Sequence, residues 1–117
     1  MTPFGDKLRR LRAARNLPLK DMAAALGVSA AYLSALEHGH RGRPSSGLVQ
    51  QISAYFNLAW DDVDELKRLA ELSHPRVVVD TAGLSPRATE LANRLAEAIG
   101  KLDEAAIERL LEVLGAG

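Results

Sequence analysis

Residues 19–39, LKDMAAALGVSAAYLSALEHG, read as two short helices joined by a tight turn. Leu19, Met22, Ala23 and Leu26 recur at spacings of three and four and so share one helix face. Gly27 ends that helix, because a residue without a Cβ takes the left-handed conformation at little cost. Val28 packs inward at the turn, and the Ser29 hydroxyl can accept a backbone N–H two or three residues on, which starts the second helix. Leu33, Leu36 and, less deeply, Tyr32 supply the inner face of that helix. Ala23 is small enough to let the two helices cross closely at a steep angle, the geometry that presents a helix to a groove. An ordinary helical hairpin in an all-α domain fits the same residues, so the flanks must separate the two.

Upstream, LRRLRAARNLPL places Leu8, Leu11 and Leu17 inside, with Arg9, Arg10, Arg12 and Arg15 beside them. Downstream, a basic loop, HGHRGRPSS, leads into an amphipathic helix carrying Leu48, Ile52, Tyr55 and Phe56 at helical spacing. Asp61 begins an acidic helix with Val63, Leu66, Leu69 and Ala70 inside, and Trp60 reads as a core or seam residue. Five short helices thus fill residues 1–73, with the glycine-hinged pair second and third.

The run from Leu8 to Leu58 resembles the DNA-binding domain of Cro and the phage repressors, the xenobiotic-response-element (XRE) family of bacterial regulators. The resemblance covers residues 4–72 and rests on several separate marks. These are the Leu-Arg-x-Leu-Arg opening, Met22-Ala23, Leu26-Gly27-Val28-Ser29, Tyr32-Leu33-Ser34, Leu36-Glu37, Gly39 and Pro44-Ser45. It implies a helix-turn-helix whose second helix, Ser29 to His38, enters the major groove of double-stranded DNA with its N-terminal residues nearest the bases. Ala30, Ala31, Ser34 and Ala35 would then face the groove. Alanine offers a methyl for a thymine methyl but no hydrogen bond, so discrimination must draw on Ser34, the Tyr32 hydroxyl, the His38–Arg43 loop or DNA shape.

Phosphate contacts are expected from the N-terminus of the preceding helix, at Leu19 and Lys20, while in the loop Arg41 and Arg43 reach the DNA backbone or an adjacent minor groove, and His38 and His40 also contact DNA. Many relatives of this type carry glutamine where Leu19 stands, which removes one side-chain contact. Tyr32 is either a phosphate contact or a packed residue with an exposed hydroxyl. The resemblance also implies that Arg12 and Glu37 form an ion pair joining the first helix to the end of the third, an architectural role.

The net charge of zero averages two unlike halves. Residues 1–58 hold eight basic and three acidic side chains, and residues 59–117 hold seven basic and twelve acidic ones. The basic half contains the glycine-hinged pair, as a phosphate-binding head on an acidic partner-binding tail would. At 117 residues and 47% hydrophobic content, the chain suits one domain or a small domain with an appendage. The lack of cysteine rules out disulfides and thiolate zinc sites. With neither an apolar run of membrane-spanning length nor a signal-peptide pattern, the expected location is the cytoplasm.

Ser73-His74-Pro75 breaks the helical pattern, and residues 74–117 form a second region. Val77, Val78 and Val79 make a β-branched run expected to form a strand that pairs with a second copy. Ser85 caps, and Pro86 begins, a helix with Leu84, Ala88, Leu91, Leu95, Ile99 and Leu102 in one stripe. A last helix runs from Asp103 with Ile107, Leu110, Leu111 and Leu114 inside. These segments either pack on their own head or form a dimerisation module through Val77, Val78, Val79, Leu91, Leu95, Ile99, Ile107, Leu110, Leu111 and Leu114. The second is preferred, because dimeric helix-turn-helix proteins place two recognition helices on successive major grooves.

Catalytic chemistry finds no constellation: there is no glycine-rich phosphate loop or nucleophile motif, and no cofactor is implied. His38, His40 and His74 lack cysteine partners, and no metal site is expected. The expectation is a mainly α regulator, a repressor binding a palindromic operator as a homodimer. The alternative is an antitoxin whose acidic C-terminal region binds a protein partner while its head regulates the operon.

Overall fold

The computed structural model describes residues 1–115 and is helical throughout its regular parts. Its α-helices are α1 (Pro3–Ala13), α2 (Leu19–Leu26), α3 (Ala30–Glu37), α4 (Ser46–Tyr55), α5 (Trp60–Glu71), α6 (Pro86–Ala98) and α7 (Glu104–Val113), with a 3-10 turn at Ile99–Lys101. The chain divides into two compact units, one of Met1–Val77 and a second beginning at Val78.

In the first unit each helix start is set by a short polar side chain or by charge. Thr2 Oγ1 accepts from Gly5 N at 2.9 Å and Pro3 follows in the first turn, so α1 begins where a missing N–H does no harm. Ser29 caps α3 through Tyr32 N at 3.0 Å, and Ser45 caps α4 through Leu48 N at 3.2 Å. No side chain caps α5, but Asp61 and Asp62 in its first turn favour the positive end of its dipole.

The apolar sides of the five helices meet in one core. Phe4 and Leu8 come from α1, Met22, Ala23 and Leu26 from α2, Leu33 and Leu36 from α3, Leu48, Val49 and Ile52 from α4, and Leu66 and Ala70 from α5. Leu11, Leu17, Leu19 and Tyr32 pack against it half-buried. Buried Ser73, just past α5, accepts from Phe4 N at 2.9 Å and donates to the Leu69 carbonyl, which ties the start of α1 to the end of α5. Arg15 donates through Nη2 to the Phe56 carbonyl at 2.7 Å and lies over the Phe56 ring, so this cation fastens α1 to the end of α4.

Two expectations fail here. Trp60 is 86% exposed and has no place in the core, because the first position of α5 points away from the side that carries Leu66 and Ala70. Val77–Val79 form no strand, and none occurs among the described residues. β-Branched side chains favour extended backbone, but a strand exists only by pairing, and this chain brings no second extended segment to the valines. All three are exposed, Val78 at 95%.

The second unit is built from clean helix starts and little else. Ser85 Oγ accepts from Ala88 N and Asp103 Oδ1 accepts from Ala106 N, at 3.2 and 2.8 Å. A 2.9 Å hydrogen bond between the Thr89 and Thr81 hydroxyls holds the entering loop to α6. None of its described residues is buried: Leu91, Leu95, Ile99, Leu110, Leu111 and Leu114 are all exposed, and Ile107 is half-buried.

Candidate nucleic-acid interface

The turn between α2 and α3 is made by the backbone. Gly27 takes the left-handed conformation at φ 73°, its N–H and that of Val28 close on the carbonyls of Ala24 and Ala23, and half-buried Val28 follows. That pair of bonds is a Schellman ending, in which a glycine past the last turn satisfies carbonyls the helix leaves open. Ser29 then caps α3 at once, so only Gly27 and Val28 separate the end of α2 from the cap of the next helix. The short connection and buried Ala23 hold α3 across α2 with Leu33 and Leu36 inward.

What α3 leaves outward is its opposite side. Ala30 and Ala31 are exposed, Tyr32, Ser34 and Ala35 are half-exposed, and Ser29 is exposed with its hydroxyl engaged by Tyr32 N. The outward side therefore carries methyl groups and two hydroxyls that no hydrogen bond engages, those of Tyr32 and Ser34. At the start of α2 no side chain caps the helix, Lys20 is exposed, and Leu19 is turned half-buried against the core. That helix start offers backbone N–H groups and the Lys20 ammonium to an anion.

The loop after α3 is fastened to the helix it follows. Gly39, at φ 83°, lets its own N–H reach the Leu36 carbonyl and the His40 N–H reach the Ala35 carbonyl at 2.8 Å, a second Schellman ending. His38 Nδ1 lies 2.8 Å from the Ser34 carbonyl, and because a carbonyl only accepts, Nδ1 is the donor in this contact. The His38 and His40 rings lie tilted to one another with centroids 6.4 Å apart. Arg41 brings its guanidinium carbon to 5.7 Å from the Tyr32 ring centroid.

Among the described residues of this unit, Lys7, Arg10, Arg12 and Arg68 are paired with Glu65, Asp6, Glu37 and Glu71, and Arg15 is held by the Phe56 carbonyl. Arg9, Lys20, Arg41, Arg43, Lys67 and Arg76 are exposed and meet no carboxylate, and of these Lys20, Arg41 and Arg43 lie on the two segments that flank α3. Arg43 also lines an open cleft of about 410 Å³ with Ser45, Ser46, Gln50 and Lys67. Sequence reading missed Ser46 and Lys67. The capped start of α4 beside Arg43 was its one local sign, whereas Lys67 arrives from α5 only through the fold. No group of three or more histidine, aspartate or glutamate side chains among the described residues could hold a metal ion.

Arg12 and Glu37 lie under this surface. Arg12 Nη2 is 3.2 Å from both Glu37 carboxylate oxygens, with the side chains 14% and 2% exposed. The Glu37 carbonyl accepts from Thr2 N, so the end of α3 is held from both sides by α1. A methyl added at Gly5 would overlap that same carbonyl, and only glycine lets α1 and α3 approach so closely.

Comparison with known proteins finds three bacterial relatives of this region. The "uncharacterized HTH-type transcriptional regulator RghRB" of Bacillus subtilis is 35% identical over 63 residues, 54% of this chain and 45% of that protein. The "HTH-type transcriptional repressor RghR" of the same organism is 34% identical over 61 residues, 52% of this chain and 45% of the relative. The "HTH-type transcriptional regulator DdrOP3" of Deinococcus deserti is 40% identical over 60 residues, 51% of this chain and 46% of the relative. The matched segment spans less than half the length of each relative. No solved structure matches at the same stringency. The turn at Gly27, the cap at Ser29 and the crossing over Ala23 lie inside residues 3–69, the segment that matches the helix-turn-helix domain model, and on that match the chain belongs to the helix-turn-helix domain family.

Proposed function

We propose that this chain is a sequence-specific DNA-binding transcriptional regulator, a repressor that binds a palindromic operator as a homodimer in the bacterial cytoplasm. The observation that carries the reading is the surface of α3. Its apolar side is spent on the core, its outward side is small and nearly uncharged, and the exposed cations flanking it, Lys20, Arg41 and Arg43, have no carboxylate partners. A smooth helix between solvated cations suits a major groove walled by phosphates. Lys20, the α2 start, His38, His40, Arg41 and Arg43 then hold the backbone, while Ala30, Ala31, Ser34 and Ala35 meet base edges. One relative is named a repressor, which favours repression over activation here.

The second unit supports the homodimer. Two amphipathic helices without one buried side chain stabilise each other little, and a second copy would cover the leucines and isoleucines they leave in water. The residues assigned to the contact are Leu91, Leu95, Ile99, Ile107, Leu110, Leu111 and Leu114, together with the exposed Val77, Val78 and Val79. Genome-wide mapping of bound sites followed by footprinting tests the reading. The expected result is an inverted repeat whose half-sites lie about one helical turn apart, ~34 Å. Binding spread evenly over the chromosome, with no enriched sequence, would overturn it.

A further inference from the structure

We infer that Tyr32 is a positioning residue, the platform that sets the Arg41 guanidinium beside the first turn of α3, so that DNA meets an ordered cation and not a mobile one. This rests on the reading of the first unit as a DNA-binding head.

The backbone brings the two residues together from opposite ends of one helix. Tyr32 stands in the first turn of α3, with its N–H held by the Ser29 cap at 3.0 Å and its ring half-buried against the core. Both constraints fix the ring. Arg41 follows the end of α3, in a loop turned back by Gly39 and locked by the His40 N–H on the Ala35 carbonyl at 2.8 Å. The loop thus returns a cation to the N-terminal part of the helix, where the guanidinium carbon lies 5.7 Å from the ring centroid. That is within the range over which a guanidinium is attracted to an aromatic face.

Arg41 is exposed and has no carboxylate to hold it. Its long side chain would otherwise sample many rotamers, and that freedom would be lost on contact with a phosphate. A guanidinium held over a ring has already lost part of it, and its N–H groups, which no hydrogen bond or carboxylate engages, remain free to donate to an anion. Of the two roles open to Tyr32, phosphate contact and packed residue, the geometry favours a third: its ring face acts and its hydroxyl does not.

Two readouts test this on the full chain. In the free protein, NMR should show the Arg41 side-chain protons displaced upfield by the Tyr32 ring current relative to those of exposed Arg43. The displacement should persist in Tyr32→Phe and vanish in Tyr32→Leu. Binding to a mixed-sequence DNA duplex should be unchanged in Tyr32→Phe and weaker by about two- to fivefold in Tyr32→Leu, the size of an exposed cation–π contact. In Arg41→Ala the slope of log affinity on log salt should fall by about one, and adding Tyr32→Leu should then cost nothing more.

Equal losses in Tyr32→Phe and Tyr32→Leu would make the hydroxyl the contact and overturn the inference. Additive losses in the double variant would overturn it too. If Tyr32→Leu does not fold, the wild-type ring-current displacement and the Tyr32→Phe affinity decide, and absence of the displacement is fatal. Salt-insensitive binding by the wild type, with the displacement present, would instead bring down the DNA-binding reading and the platform role with it. Normal wild-type binding without the displacement brings down the platform role alone.

Discussion

Glu37 has lost almost all its water, and one guanidinium nitrogen stands in for it. The arrangement is not the paired fork of an ideal arginine–carboxylate contact, for Arg12 Nε is buried with no partner. Such a pair contributes little net stability while making the loss of either member expensive. Arg12→Ala should therefore cost about 3–5 kcal/mol in chemical denaturation, while Arg12→Lys, which still supplies a cation and removes the orphaned Nε, should cost much less. Replacing both members by leucine should restore most of the stability. A double variant as unstable as Arg12→Ala would show that the pair is a net stabiliser after all. Gly5 sits in the same junction, and Gly5→Ala forces α1 away from the Glu37 carbonyl, so a loss of about 1–3 kcal/mol is expected from overpacking. A melting temperature equal to wild type would mean that the two helices can part freely. The two positions differ in how visible they are in sequence. Arg12 and Glu37 stand in motif positions of a familiar pattern, whereas Gly5 is one residue in PFGDK, and the need for it arises only when α3 arrives from more than thirty residues away.

Helices α2 and α3 are legible from sequence because every signal that defines them is local. Gly27 at positive φ, Ser29 as cap and the three- and four-residue spacing of Met22, Leu26, Leu33 and Leu36 act within one turn of where they are read. The same holds for Ser85 before Pro86 and for Asp103 before α7. Signals that need a distant partner misled. The valines at 77–79 have the side chains of a strand without a second strand, and Trp60 has the size of a core residue at a helix position that faces water. The loop after α3 lies between these cases: its glycines were readable, but the return of Arg41 to Tyr32 depends on how the Schellman bonds aim the chain. At the scale of this element, base reading and backbone holding should separate by mutation. Ala31 is exposed, so Ala31→Gln should change the preferred bases in a selection from random sequences while leaving the melt unchanged, because a new amide then reaches adenine or another base edge. Arg43→Ala should weaken binding to all sequences alike and lower the salt slope by about one. An Arg43 variant with altered base preference would place that residue in a groove and off the phosphates.

The two units of the molecule solve the problem of burial differently. The first closes a core of its own around Phe4, Leu33, Ile52 and Leu66, all at or near zero exposure. The second has helix caps, two surface ion pairs from Glu90 to Arg87 and Arg94, and no buried side chain among the described residues. Exposed ion pairs of that kind stabilise by about 0–1 kcal/mol each, too little to hold two short helices together. The larger reserve is apolar. Seven leucines and isoleucines of this unit, Leu84, Leu91, Leu95, Ile99, Leu110, Leu111 and Leu114, remain exposed. Covering them in a two-fold pair takes that apolar surface out of water, so a dimer is the expected outcome. Its net charge works slightly against pairing, since the second unit is acidic, and salt should therefore strengthen the dimer while it weakens binding to DNA. The decisive variant carries Leu91→Glu and Leu110→Glu, both at exposed positions, so the new carboxylates enter water in the single chain and a dry interface only in the pair. Sedimentation should show a dimer for the wild type and a monomer for this variant. The head should melt at the same temperature in both, and affinity should fall on a palindromic site but hold on a half-site. A wild-type chain that sediments as a monomer both free and on DNA would remove the second copy as the cover for α6 and α7, leaving the head to bind as a single reading unit.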